Sequence, residues 1–187
     1  MSAISIQGNA GGTGTLTVAA PSTNTNRTLT LPDNTGTLLS TGSTFAGTGP
    51  AFSATMSGNQ SVTTATFTKV QANTEEFDTN SNYDNTTNYR FTPLIAGYYI
   101  VNGVIASSSG GTQSSQLIAI YKNGSEVKRS GGDYSSGQGS VGISLIISLN
   151  GTTDYVELYG LVTSASSPVF VGGSTRTTFQ AFLARSA

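Results

Sequence analysis

The sequence predicts an all-β chain, and three observations predict it. Apolar and polar residues alternate with period two in a series of short runs, turn-forming residues separate those runs, and no window sustains apolar residues at i, i+3, i+4 and i+7. Gly and β-branched residues interrupt every candidate helix. Runs at this spacing in a chain of 187 residues fit a sandwich or barrel with an appendage.

Composition narrows the function classes. The chain holds 26 Ser, 29 Thr and 23 Gly, with only 9% charged residues, against roughly 25% in an average domain. It is polar without being charged, and its 8 Tyr and 8 Phe fall in ordered patterns that low-complexity disorder lacks. The 8 basic and 9 acidic residues are scattered singly for a net charge of −1. No basic stripe exists to neutralise phosphates or anionic headgroups, so neither nucleic acid nor membrane insertion is expected. Zero Cys removes disulfides and thiol chemistry, and zero His removes imidazole bases and the Ser-His-Asp triad. The leading MSAISIQGNAGG has no basic or long apolar region, and the longest apolar run, Leu117 to Tyr121, cannot span a bilayer. Neither an export signal nor an anchor is expected.

Residues 1–45 carry two alternating runs, TLTVA (Thr15 to Ala19) and RTLTL (Arg27 to Leu31), around the turn-rich PSTNTN. This reads as a β-hairpin arm with Leu16 and Val18 on one face and Leu29 and Leu31 on one face, followed by the PDNTG turn and a short run that includes Leu38. A hairpin this poor in apolar residues is marginal alone and needs a partner surface. A Gly/Thr/Ser linker runs to about Gly49, and the head occupies 50–187. Its expected strands are AFSAT (51–55), TATFTKV (64–70), EEFD (75–78), YRFTP (89–93), GYYIVNGVIA (97–106), QLIAIYK (116–122), SVGISLIISL (140–149), DYVELYGLV (154–162) and RTTFQAFLA (176–184). Asn123-Gly124 and Asn150-Gly151 each lie between strand-like runs, as primed hairpin turns demand.

From Pro50 to Arg185 the order of residues resembles the globular head of complement C1q and its tumour-necrosis-factor relatives. The resemblance rests on AFSA (51–54), FDTNSNYD (77–84), YRFTPLIAGYYIV (89–101), YKNGSEV (121–127), DYVEL (154–158) and TFQAFLA (178–184). It implies a ten-strand jelly-roll sandwich that forms trimers, with Tyr98, Tyr99, Ile120, Tyr155, Phe179 and Phe182 at the trimer interface or in the core. Pro93 ends one strand because it cannot donate to the ladder, and Tyr98 and Tyr99 must point to opposite faces of the next. The collagen-like stalk of the family's animal members is absent. Instead Thr15 to Ser40, above all RTLTLPDNTGTLL (27–39), resembles a segment common at the N-termini of tailed-phage fibre and capsid-decoration proteins.

Catalysis without His would rest on carboxylates such as Glu75, Glu76, Asp78, Asp133, Asp154 and Glu157. A glycosidase needs two of them at a defined separation across a cleft, and no spacing in the sequence argues for it, so no enzyme and no cofactor is expected. DTNSNYDN (78–85) is rich in Asx oxygens but lacks the Gly and terminal Glu of a calcium loop, and turn capping accounts for it. SGGDYSSGQGS (130–140) and SSSGGTQSS (107–115) read as loops. Tyr83, Tyr89 and Tyr134 are the candidate stacking platforms for a host-surface glycan.

These readings combine into an expected homotrimeric virion protein on the capsid or fibre exterior, passing through the host cytoplasm during assembly. A capsid decoration protein that docks by its arm on the major capsid protein, or on another virion protein, comes first. A short tail or head fibre that binds a glycan comes second, because 45 residues reach at most roughly 150 Å. A non-viral lectin-like module comes third.

Overall fold

The computed structural model describes residues 49–135 and 137–187, with 11–13, 17, 22 and 24–26 of the leading segment. Contacts divide the chain into two compact units, Met1–Leu39 and Ser40–Ala187. The apolar side chains of the expected arm, Leu16, Val18, Leu29, Leu31 and Leu38, lie outside the described residues.

Among the described residues there are thirteen strands and no helix. The first six are short: β1 (Ala51–Thr55), β2 (Gln60–Ser61), β3 (Thr68–Lys69), β4 (Thr74–Asp78), β5 (Tyr83–Asp84) and β6 (Arg90–Phe91). The longer strands follow as β7 (Gly97–Ser108), β8 (Gln113–Lys122), β9 (Ser125–Asp133), β10 (Gln138–Leu149), β11 (Val156–Ser164) and β13 (Thr178–Ser186), with the two-residue β12 (Val169–Phe170) between the last two.

Every pairing is antiparallel. In the first sheet β7 is central: β10 runs along its full length on one side, while β13 and then β12 occupy the other, and β1 and β4 continue outward from β13. In the second sheet β11 is central, with β8 and β9 on one side and β6 and β3 end to end on the other. Both sheets bury alternate residues against each other, and β10 reads eieBeBeieBeB for this reason.

The core has an aromatic end. Phe52 stacks on Tyr83 at 4.4 Å between ring centroids and on Phe91 at 4.6 Å, and meets Phe179 edge-on at 5.1 Å. Further along, Ile105, Ile118, Leu158 and Phe170 are fully buried. Close packing there requires Gly160, where a Cβ would fall 2.6 Å from Ile105 Cδ1 and 2.7 Å from the Phe170 ring.

Several local expectations change. The ten strands become eight longer ones and five two-residue bridges. In TATFTKV only Thr68–Lys69 is strand, Ala65 taking a positive φ of 56°, although the Ala65 and Val70 N–H groups still donate to the Val162 and Leu158 carbonyls of β11. Asn123-Gly124 is the expected two-residue hairpin turn, both residues having positive φ, between β8 and β9. Asn150-Gly151 is not a hairpin turn. There the chain crosses from β10 in the first sheet to β11 in the second, and Asn150 Oδ1 accepts the backbone N–H groups of Thr152, Thr153 and Asp154. The Gly-rich stretch from 130 is only partly loop, since Ser130 to Asp133 complete β9 and Gln138 to Ser140 open β10. The stretch from 107 likewise lends Ser107 and Ser108 to β7 and its last three residues to β8.

The Asx-rich segment caps turns. Asp78 Oδ1 and Oδ2 accept from the backbone N–H groups of Asn80 and Tyr83, and Asp84 accepts from those of Thr86, Thr87 and Asn88. The Thr87 N–H and its neighbours hold the Asp84 carboxyl well below the usual carboxylate range. A depressed folded-state value stabilises the fold above the unfolded pKa, near about 3.9, and the contribution is lost as pH falls below it. Asp84→Asn is therefore expected to lower Tm at pH 7 and to flatten the fall in Tm between pH 5 and 2. Calorimetry showing parallel Tm curves for variant and parent would contradict this.

Candidate functional site

The outward face of the first sheet is built by the register of β7. Ile100 stands opposite Phe182 of β13 and opposite Ile146 of β10, so three apolar side chains form one row across adjacent strands. Ile146 is 68% exposed and Phe182 44%. Tyr98, 48% exposed, extends the patch along β7, and Val104 lies further on the same face. The next row is polar: Asn102 faces Gln180 and Ser144, Gln180 Nε2 donates to Ser53 Oγ, and Ser53 Oγ donates to Glu76 Oε2.

None of the outward residues of β7 and β10, from Tyr98 to Ser108 and from Gln138 to Ser148, carries a charge. The outward face of the second sheet is the opposite case. Lys69 pairs with Glu157 at 2.5 Å, Arg129 pairs with Glu126, and the Arg90 guanidinium lies 4.4 Å above the Tyr155 ring. Tyr121 and Tyr159 stack at 4.1 Å among these charges. An uncharged, apolar and aromatic patch is the composition of an interface core, and a face laced with ion pairs is that of a solvated surface.

Glu157, Asp154 and Glu126 each have such a partner. Asp154 pairs with Lys122 and accepts from Asn123, and these contacts, the Lys122 ammonium first, lower its pKa. Among the described residues no three His, Cys, Asp or Glu gather as a metal site would require.

The all-β double sheet has close structural counterparts. The chain is similar to Eiger TNF from S. frugiperda, with a TM-score of 0.57 at 10% identity, covering 74% of this chain and 92% of that one. It is similar also to murine APRIL, with TM-scores of 0.53 for the structure at pH 5.0 and 0.51 for that at pH 8.0, each at 10% identity over 72% of this chain and 98% of that one. The head is a tumour-necrosis-factor-like jelly roll. No family model matches the chain, and no curated protein does.

Within this TNF-like jelly roll the expected site residues separate into three groups. Tyr98 and Phe182 lie on the outward face of the first sheet, Phe182 in the apolar row and Tyr98 beside it with Arg185 of β13 paired opposite. Tyr99, Ile120 and Phe179 are core residues, at most 1% exposed. Tyr155 belongs to neither: it sits beneath Arg90 on the outer side of the second sheet.

The three tyrosines expected to stack on a glycan do not form one platform. Tyr83 is buried, stacked on Phe52, and its hydroxyl donates to the Ala72 carbonyl. Tyr89 adjoins β6, across β11 from the β8 end at Lys122, whereas the Tyr134 backbone N–H donates to the Ser114 carbonyl at the other end of β8. The Tyr134 hydroxyl donates to the Ser140 carbonyl and its ring packs on the core.

Ile146 and Ile100 were missed as site residues, although the sequence holds a signal for the first. In SVGISLIISL the inward phase takes Val141, Ile143, Leu145, Ile147 and Leu149, and Ile146 is the one large apolar residue on the other phase.

Proposed function

We propose that the chain is a homotrimeric structural protein of a tailed-phage virion, a capsid decoration protein that docks by residues 1–45 and displays the TNF-like jelly roll of residues 50–187. The observation that carries the assembly is the uncharged row of Phe182, Ile100 and Ile146 with Tyr98 beside it. A patch of this kind is covered in use by another surface, and a matching face on identical copies covers it without a foreign partner. The virion assignment rests on the sequence RTLTLPDNTGTLL and on alternating runs too poor in apolar residues for a stable isolated hairpin. Burying its few apolar residues on a shell surface and bridging neighbouring subunits, such a segment stabilises the particle.

The test is co-sedimentation with purified tail-less heads. The full chain is expected to pellet with the heads, and a chain of residues 50–187 is expected to stay in the supernatant while keeping its oligomeric mass. Pelleting of the truncated chain would overturn the docking role of the arm. The short-fibre reading predicts instead that purified full chain blocks adsorption of the phage to its host.

A further inference from the structure

A cavity of about 620 Å³ opens on the outward face of the first sheet where it meets two loops, at the end of β7 away from Tyr98. Val104 and Ala106, which help line it, are four and six residues from Ile100 along β7, roughly 13 and 20 Å at about 3.3 Å per residue. We propose that this cavity binds a polyhydroxylated carboxylate, a uronic-acid type of sugar, with Arg176 taking the carboxylate.

The lining fits that chemistry. Asn59, Ser108, Gln138, Ser140, Thr175 and Arg176 bring a guanidinium, carboxamides and hydroxyls to one concavity. No Asp or Glu lines it, and Arg176 joins no ion pair among the described residues. A guanidinium facing no carboxylate of its own presents a planar fork of donors that matches a carboxylate in bidentate fashion. Val104, Ala106 and Val171 supply an apolar portion, and a sugar ring has both a C–H face to lie on it and a hydroxyl edge for the polar groups. The volume lies within the roughly 300–1,000 Å³ range of small-molecule sites.

The wall that carries Arg176 is preorganised. Val171 N–H donates to the Ala106 carbonyl, Gly172 N–H to Asn59 Oδ1, and Gly173 N–H to the Met56 carbonyl. Thr177 Oγ1 closes the loop, accepting from Ala106 N–H and donating to the Val171 carbonyl. The two loops touch so closely that a Cβ on Gly172 would fall 2.3 Å from the Gly58 carbonyl oxygen. With Asn59 Oδ1 engaged by Gly172, its Nδ2 is the atom left to donate to a ligand. A loop fixed before binding does not have to be ordered by the ligand, which favours affinity from few contacts.

All the lining residues belong to one chain, but the cavity shares the outward face of β7 and β10 with the apolar patch, so binding is read together with the assembly state. The test is an NMR titration of the intact protein with glucuronate, glucose and acetate, with the sedimenting mass measured on the same samples. Glucuronate is expected to saturate and to shift the amides of Gly139, Ser140 and Arg176, with glucose and acetate each at least about tenfold weaker, as loss of a charge-assisted pair or of the hydroxyl contacts implies. Arg176→Gln, a change at an exposed side chain, is expected to lose at least about tenfold in affinity with the rest of the spectrum unchanged. A glucuronate-containing tetrasaccharide that binds more tightly than free glucuronate marks a surface polymer as the source, and equal affinity marks the free acid. Absence of saturable glucuronate binding, equal binding of glucose, or full affinity in R176Q would overturn the proposal whatever the mass.

Discussion

Phe52→Ala is expected to lower the unfolding free energy by about 3–5 kcal/mol, the cost of a fully buried phenylalanine together with the cavity its loss leaves. Phe52 is 1% exposed and touches three aromatic rings drawn from both sheets, Tyr83 and Phe91 from one and Phe179 from the other. Each ring pair adds about 0.5–1.5 kcal/mol beyond its buried area, and alanine forfeits all of them. Such a loss is a large share of a domain stability of about 5–15 kcal/mol. Urea unfolding at one fixed protein concentration, which holds any assembly contribution constant, reads it as a lower midpoint. A loss under about 1 kcal/mol would mean that the aromatic end is not the joint between the sheets.

The second large effect concerns assembly rather than folding. Ile146→Asp combined with Phe182→Asp is expected to leave folded monomers in place of the proposed trimer. In a single chain both side chains face outward, where substitutions change stability by within about 0.5 kcal/mol. In a trimer closed through this face the same two changes bury carboxylates without partners, which costs several kcal/mol per group. The two cases separate cleanly, because circular dichroism reports the retained sandwich while sedimentation reports the mass. A double variant that still sediments as a trimer would remove the outward face of the first sheet from the interface.

What the sequence shows most directly is strand phase. AFSAT is β1 residue for residue, Asn123-Gly124 turns where a two-residue loop must, and Tyr98 and Tyr99 fall on opposite faces because a strand alternates. Local signals fail where sheet membership decides. Asn150-Gly151 carries the same dipeptide chemistry as Asn123-Gly124, yet its flanking strands belong to different sheets, and only the long-range pairings of β7 and β11 determine that. Ser130 to Asp133 look like loop by composition and become strand because β8 offers an edge to pair with. The candidate face shows the same limit. Phase told which side of β7 Tyr98 would occupy, but the row with Phe182 and Ile146 depends on the register of three strands far apart in sequence. Tyr83 looked like a loop residue among Asx turns, and Phe52, thirty-one positions earlier, draws it into the core. Arg176 and Asn59 meet at one cavity through the contact of two loops, with no motif in the sequence to mark either.

Identical copies are proposed to cover the apolar patch of Ile100, Ile146, Phe182 and Tyr98 on the first sheet. Sedimentation equilibrium of the intact chain at micromolar concentration tests it most directly. A single species at three times the chain mass of 19.1 kDa is expected. A single species at 19.1 kDa, with Ile146 and Phe182 left in water, would contradict it.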